Sequence, residues 1–347
     1  MKNILLTGGL GYIGSHTCIT LIEKGYNIFI VDSLINSSIS VFHRLEKTLS
    51  NLNSHQKGFI KFFKGDIRDK NILEKIFNYS CSINCSIDLV FHFAGLKSVI
   101  ESGEKPSLYW NVNVEGTKIL LDVMDCFNCK NLIYSSSATI YGESNDLIIT
   151  EDCPINPINP YGKSKAAVEE ILHHKYLNNK NWKIVNLRYF NPIGAYKQKL
   201  IGEDPHFEST NLFPLICKVA NKESDNLIIY GNDWDTRDGT CIRDFIHIMD
   251  VANGHLAALN YIENQTRVFK SINLGTSKGT TILEFIDIFE KATEQKVNHF
   301  FDKRRPGDVG SYVASNELAL KFLNWSPKYS IQEMCKDGWD WYESRKN

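Results

Sequence analysis

The chain has 347 residues, 43% hydrophobic and 23% charged, enough for a large core in two domains or one large one. Its formal net charge of −1 offers no overall positive field, so neither nucleic acid nor membrane is expected as a partner. Anionic ligands must then be held by local devices such as helix N-termini and single arginines. No apolar run reaches the length of a membrane span. The nine cysteines, at positions 18, 81, 85, 126, 129, 153, 217, 241 and 335, form no regular framework and read as reduced thiols. The opening residues are strand-like, and no leader peptide is expected. A cytoplasmic placement is therefore expected.

In chain order, short apolar runs at 4–7, 28–31, 60–63, 89–93, 132–135 and 184–187 read as buried parallel strands. Amphipathic stretches at 13–24, 69–79, 107–125 and 161–177 separate them. This alternation predicts an α/β fold, a doubly wound parallel (Rossmann) sheet. From about residue 191 the texture changes: Pro192, Pro205 and Pro214 punctuate it, and helical patterns appear at 211–221, 249–262, 281–292 and 330–344. The expected division is a dinucleotide-binding domain over 1–190, with a return segment at about 241–275, and a smaller mixed α/β substrate domain over 191–347. Asn- and Ser-enriched stretches at 50–54 and 78–86 read as surface loops. There is no internal repeat.

Gly8-Gly9-Leu10-Gly11-Tyr12-Ile13-Gly14 directly follows the first strand and opens the first helix. Glycine permits the tight turn and lets backbone approach a pyrophosphate, which the helix N-terminus then receives. The second strand ends at Asp32, 18 residues beyond Gly14. A carboxylate there accepts from a ribose diol and repels a 2′-phosphate, which favours NAD over NADP. Gly65-Asp66-Ile67 closes the third strand, where a carboxylate can meet an adenine amino group, and Phe93-Ala94-Gly95 closes the fourth with small residues. Either alone could be an ordinary strand-end turn, and for Asp66 alone that reading is favoured.

Tyr161-Gly162-Lys163-Ser164-Lys165 sets Tyr161 and Lys165 on one helix face. Asn159 can cap that helix, and Pro160 suits its first position. Tyr161 then lies at the positive end of the helix dipole. Bringing a phenol from about 10 to about 7 takes roughly 4 kcal/mol of preference for the phenolate. An adjacent ammonium, the helix terminus and a positive nicotinamide ring together could supply it. Ser135-Ser136-Ser137-Ala138-Thr139 closes the fifth strand at the ligand-binding edge of such a sheet, where a hydroxyl can hold a substrate oxygen for Tyr161.

With these residues the chain resembles the extended short-chain dehydrogenases and, within them, the UDP-glucose 4-epimerases. The likeness also rests on His92-Phe93-Ala94-Gly95-Leu96-Lys97, Arg188-Tyr189-Phe190-Asn191-Pro192, Gly202-Glu203-Asp204-Pro205, Arg243-Asp244-Phe245-Ile246-His247 and Arg304-Arg305-Pro306-Gly307-Asp308. The resemblance implies inversion at C4 of a UDP-hexose through a 4-keto sugar, with NAD kept bound. It makes Tyr161 the acid/base, Lys165 its tuning partner and Ser137 its support. It implies cofactor contacts from Gly8, Gly11, Tyr12, Ile13, Gly14, Asp32, Asn36, Ser37, Asp66, Ile67, Phe93, Ala94, Gly95, Lys97 and Phe190, together with Tyr161 and Lys165. Substrate contacts fall to Lys97, Ser137, Tyr161, Asn191, Asn211, Leu212, Ile228, Tyr230, Arg243, Arg305, Asp308 and Tyr312. Arg243 and Arg305 would pair the diphosphate, Asp308 would take the uridine ribose, and the bulk of Tyr312 would exclude N-acetylated sugars. A homodimer through helices near 107–125 and 161–177 is implied as well. Val112 stands where some members place an Asn near the cofactor, so that contact is not carried over.

Other readings compete. A 4,6-dehydratase needs a carboxylate just after the strand-end serine, where Ala138 and Thr139 stand. An idle NAD-binding regulator would typically lack Tyr161, Lys165 or Ser137. Cys126 and Cys129 have metal-like spacing but no second pair, and no metal is expected.

Overall fold

A computed structural model of the chain describes residues 2–51, 58–143, 148–204, 211–305 and 308–345. Thus 52–54 of one Asn-rich stretch, and Pro205, Pro306 and Gly307 of the quoted motifs, lie outside the described residues. The chain divides into two compact units, one of Met1–Gly142, Ile155–Arg188 and Ala252–Ile272, the other of Glu143–Pro154, Tyr189–Val251 and Asn273–Asn347.

The first unit is built in chain order from β1 (Asn3–Thr7), α1 (Tyr12–Glu23), β2 (Asn27–Asp32), α2 (Ile39–Asn51), β3 (Ile60–Lys64) and α3 (Lys70–Ser82). There follow β4 (Leu89–His92), α4 (Val99–Glu104), α5 (Pro106–Trp110), α6 (Gly116–Cys126), β5 (Asn131–Ser137), α7 (Pro160–Asn178) and β6 (Lys183–Tyr189). A seventh strand, Val268–Leu274, joins the sheet, whose order is Val268–Leu274, β6, β5, β4, β1, β2, β3. The pairs β1–β2, β1–β4, β2–β3 and β4–β5 are parallel. Strands covered on both faces read as near-continuous apolar runs. Accordingly β2 and β4 are buried along their whole length, and Leu5, Phe29, Val90 and Leu132 anchor a core with Leu73, Val123, Leu172 and Trp182. Strand order reverses between β1 and β4, the point where open α/β sheets form their ligand crevice.

The α/β architecture, the six expected strands and the helices of this unit are present, with local differences. The single helix expected over 107–125 is broken into α5, a π turn at Asn111–Glu115, and α6. Helix α3 runs on to Ser82, so half of the expected 78–86 loop is helical. Neither α2, which buries only Leu45 and Thr48, nor the strand Val268–Leu274 was expected.

The second unit has its own core, with Phe213, Ile216, Phe285, Phe289, Met334 and Trp339. Its helices Leu212–Ala220, Ile282–Thr293 and Ile331–Ser344 lie where the 3.6-residue periodicity places them. Thr281 with Glu284, and Ser330 with Glu333, form reciprocal capping boxes that set two of their starts. Short strands complete the unit: Asn191–Ile193 pairs with Phe245–His247, Leu227–Tyr230 with His299–Asp302, and Ile242–Arg243 with both Thr280–Thr281 and Ser311–Tyr312. Among the described residues no helix is long and apolar enough to cross a membrane.

Candidate active site

The glycine loop sits at the C-terminal end of β1, at the reversal of strand order. Gly8 has φ +68°, and a Cβ there would stand 2.6 Å from the backbone nitrogen of Ala94 at the end of β4. A Cβ on Gly14 would meet the Gly8 carbonyl oxygen at 2.5 Å. Only glycine permits these two approaches, which close the turn on β4 and lay α1 on the loop. Gly11 is the N-cap of α1 and supplies no side-chain acceptor, so no capping side chain stands at the helix N-terminus, the end of a helix that receives a pyrophosphate. Tyr12 and Ile13 are half-buried in that first turn. Asp32 closes β2 almost fully buried. Its carboxylate accepts from the backbone nitrogens of Leu10 (3.0 Å) and Leu34 (2.9 Å) and from Ser37 Oγ (2.8 Å). It thereby locks the glycine loop and the β2 exit together, with Asn36 exposed beside it. These features fit an adenine dinucleotide.

At the end of β3 the carboxylate is already paired. Asp66 is gripped by Arg68 through Nε (3.0 Å) and Nη2 (2.7 Å). That charge-assisted pair is the first cause of a carboxyl pKa below its ordinary value. Ile67 is buried behind it, while Gly95 and Lys97 are exposed and Phe93 and Ala94 half-buried. Sequence reasoning overlooked Asn113. Buried in the π turn, it accepts from Leu96 N (2.8 Å) and donates to Leu96 O (3.1 Å) and Ser164 Oγ (2.9 Å). It ties the β4 exit loop to α7. A buried amide in a stretch read as amphipathic helix was the available signal.

The catalytic candidates converge at the start of α7. Asn159 caps that helix through Gly162 N (2.8 Å), and Pro160 takes the first position, as the sequence predicts. Lys165 Nζ donates to the Ser135 carbonyl (2.8 Å), lies 5.0 Å over the Tyr134 ring and 5.9 Å from the Tyr161 ring centre. Burial lowers its ammonium pKa to about 8, and the Glu169 carboxylate one turn on opposes the shift. Burial raises the Tyr161 phenol above its ordinary value, against a hydrogen bond from Ser137 that lowers it. His92 bridges Thr7 (2.7 Å) and Thr117 (2.8 Å) by its two ring nitrogens. Burial and then Lys165 hold its pKa down at about 3, so it is neutral.

In the second unit the arginines form a cluster. Arg305 Nε donates to Asp308 Oδ2 (3.0 Å) and its guanidinium lies 4.5 Å over the Tyr230 ring. Arg243 Nη1 bonds the Ile242 and Val309 carbonyls (2.9 Å each), and its Nη2 is 4.0 Å from Asp308. Asp308 thus stands between two guanidiniums. Tyr312 is the strand partner of Arg243, and its ring lies 5.6 Å from that of Phe190. Ile228 alternates with the buried Leu227 and Ile229, exposed on the face that Tyr230 shares. Asn191 N bonds the Asp244 carbonyl (3.0 Å), and Asn211, at the N-cap of Leu212–Ala220, donates to Glu203 (3.1 Å). All nine cysteines are free. No three His, Cys, Asp or Glu side chains among the described residues are grouped to hold a metal ion.

The chain is similar to known proteins over nearly its whole length. Residues 5–338 match the family model described as GDP-mannose 4,6 dehydratase. UDP-glucose 4-epimerase 2 of Arabidopsis thaliana is 45% identical over 340 residues, 98% of this chain and 95% of its own. The crystal structure of a UDP-glucose-4-epimerase from Stenotrophomonas maltophila, with bound NAD and formylated UDP-arabinopyranose, is 38% identical with a TM-score of 0.94, covering 100% of this chain and 99% of that one. That of the UDP-glucose 4-epimerase from Bifidobacterium longum, with NAD+ and UDP, is 39% identical with a TM-score of 0.91 at the same coverage. The chain belongs to the UDP-glucose 4-epimerase family.

Proposed function

We propose that the protein interconverts UDP-glucose and UDP-galactose with a tightly held NAD, as a cytoplasmic homodimer serving galactose metabolism. The observation that carries this reading is the set Tyr161, Lys165 and Ser137, gathered in the same unit as an uncapped glycine loop and Asp32. The first-unit residues Gly8, Gly11, Gly14, Asp32, Ala94, Gly95 and Lys97 hold the nucleotide. When bound, NAD would supply the hydride acceptor and donor for C4 and a positive ring charge that favours the phenolate.

The chain's own groups manage the proton. Tyr161 oxygen takes the C4 hydroxyl proton as hydride leaves C4, and gives it back when hydride returns to the other face of the 4-keto sugar. Ser137 stabilises the phenolate by donation, and Lys165 keeps a positive charge beside it. Arg243 and Arg305 exchange their shared Asp308 for the diphosphate, freeing that carboxylate for the uridine ribose. Asn191, Asn211, Leu212, Ile228, Tyr230 and Phe190 surround the rest. Tyr312, beside Arg243, limits room at the sugar and excludes N-acetylated substrates. Ala138 and Thr139 provide no carboxylate for dehydration, which sets the 4,6-dehydratase reading aside. Dimerisation is supported by Val99, Ile100, Leu108, Trp110 and Leu177, apolar and exposed on α4, α5 and α7.

The test is to mix purified protein with UDP-galactose, without reductant, and follow UDP-glucose by chromatography, with UDP-N-acetylgalactosamine in a parallel tube. The expected result is an equilibrium mixture with no net NADH in the first tube and silence in the second. No conversion with NAD supplied and bound would refute the epimerase reading.

A further inference from the structure

Strand β5 ends at Ser137, the N-cap of a single 3₁₀ turn, Ala138–Ile140. Ser137 Oγ accepts from Thr139 Oγ1 at 2.9 Å and from Thr139 N at 3.3 Å. A hydroxyl has one proton and two acceptor lone pairs. Both lone pairs therefore turn back toward Thr139, and the only capacity left to Ser137 is its O–H. The turn is held tightly where it stands. A Cβ on Gly162 would lie 2.7 Å from the Thr139 carbonyl oxygen, so the turn rests against the first turn of α7, next to Tyr161. Asn156 N fixes the far end through the Ile140 carbonyl (3.0 Å).

We propose that Thr139 is a positioning residue for proton transfer, whose hydroxyl fills the Ser137 oxygen and so compels Ser137 to donate toward Tyr161. The inference rests on the epimerase reading and deepens it. With its lone pairs filled, Ser137 has no place to receive the sugar proton. The C4 O–H bond then breaks directly to the Tyr161 oxygen, and Ser137 keeps its own proton while stabilising the phenolate. The downward effect of Ser137 on the Tyr161 phenol is that of a donor to the ionised form.

Without the Thr139 hydroxyl, Ser137 regains a free lone pair and can turn its proton away from Tyr161. The test compares nucleotide-loaded wild type, Thr139→Val and Thr139→Ser. One hydrogen bond of about 0.5–1.5 kcal/mol net corresponds to a roughly two- to tenfold loss of kcat in Thr139→Val. KM for UDP-galactose should stay within about a factor of two, the signature of an interaction made in the transition state. The acid limb of the kcat profile should move up by about 0.5–1 pH unit, and Thr139→Ser should restore both readouts. Wild-type kcat and limb in Thr139→Val, or equal impairment in Thr139→Ser, would overturn the proposal. If wild type turned nothing over, the epimerase reading would fall. Thr139 would then be judged by ultraviolet difference titration of the Tyr161 phenol against a Tyr161→Phe background. An upward shift in Thr139→Val supports the assignment, and an unshifted phenol refutes it.

Discussion

Glu169→Gln tests the charge buried beneath the active site. Glu169 and Arg188 are 5% and 4% exposed and meet through two bonds, Nε to Oε1 at 3.0 Å and Nη2 to Oε2 at 2.6 Å. The carboxylate also accepts from Ser136 Oγ (2.5 Å) and Ser271 Oγ (3.2 Å), while Arg188 Nη1 reaches the Tyr141 hydroxyl (2.8 Å). Removing one partner of a buried pair costs about 3–5 kcal/mol, because the other charge stays buried. Glutamine keeps an acceptor, so about 3 kcal/mol is expected, a large part of a typical total stability of about 5–15 kcal/mol. The urea midpoint of the nucleotide-loaded protein should fall accordingly. The second effect is catalytic. Lys165 titrates at about 8 because burial lowers it and Glu169 opposes that shift. Without the carboxylate, the ammonium should lose its proton earlier and the alkaline limb of kcat should move to lower pH. Replacing both partners, Glu169→Leu with Arg188→Met, should recover much of the stability but not the limb. A stability loss under about 1 kcal/mol, or an alkaline limb unmoved in both variants, would refute the reasoning.

Other expectations are sharper in a single readout. Tyr161→Phe should lower kcat by about 10²–10⁴, the usual worth of a general acid/base, while chromatography still finds NAD bound; near-normal turnover would remove Tyr161 from its role. Gly8→Val combines a left-handed backbone, costing about 1–2 kcal/mol for a residue with a Cβ, with the 2.6 Å approach to Ala94 N. It should purify without nucleotide and with a lower urea midpoint, and full occupancy would contradict the loop assignment. Asp244, raised to about 6 by burial despite bonds from Thr276, Ser277 and Ala314, favours its protonated form on folding. The stability advantage of wild type over Asp244→Asn should therefore shrink as pH rises from about 4 to about 6; a difference flat in pH would contradict the burial argument.

The features readable in the sequence are those whose cause is local. A glycine after a strand, an Asn-Pro pair before a helix and a Tyr four residues from a Lys each carry their geometry within one turn of chain. Hence the loop at Gly8, the cap at Asn159 and the Tyr161–Lys165 face all stand where the residues placed them. The π turn at Asn111–Glu115 has no such local cause. A continuous helix satisfies the 107–125 pattern equally well, and the extra residue per turn accompanies a buried Asn113 bonded to Leu96, 17 positions earlier. Asp66 and Asp308 mark the same boundary. Their positions at motif ends were legible, but their pairing with Arg68 and Arg305 depends on rotamers that a string of letters does not contain.

Thr139 shows how composition can mislead about role. Beside a serine-rich strand end it registers first as the absence of a dehydratase carboxylate. In the fold, Ala138–Ile140 turns back on Ser137, and the same residue becomes the donor that orients the serine. An acid at 139 would reverse that relation, because an ionised carboxylate only accepts. Ser137 would then have to donate backward, away from Tyr161. The exchange of Thr for a carboxylate at this position would thus do two things at once: install an acid/base group and withdraw a hydrogen bond from the phenolate. On this argument Thr139→Glu should lose epimerisation more deeply than Thr139→Val, in proportion to the proton it takes from Ser137. Equal residual rates in the two variants at neutral pH would show that the direction of the Ser137 proton is not set from position 139.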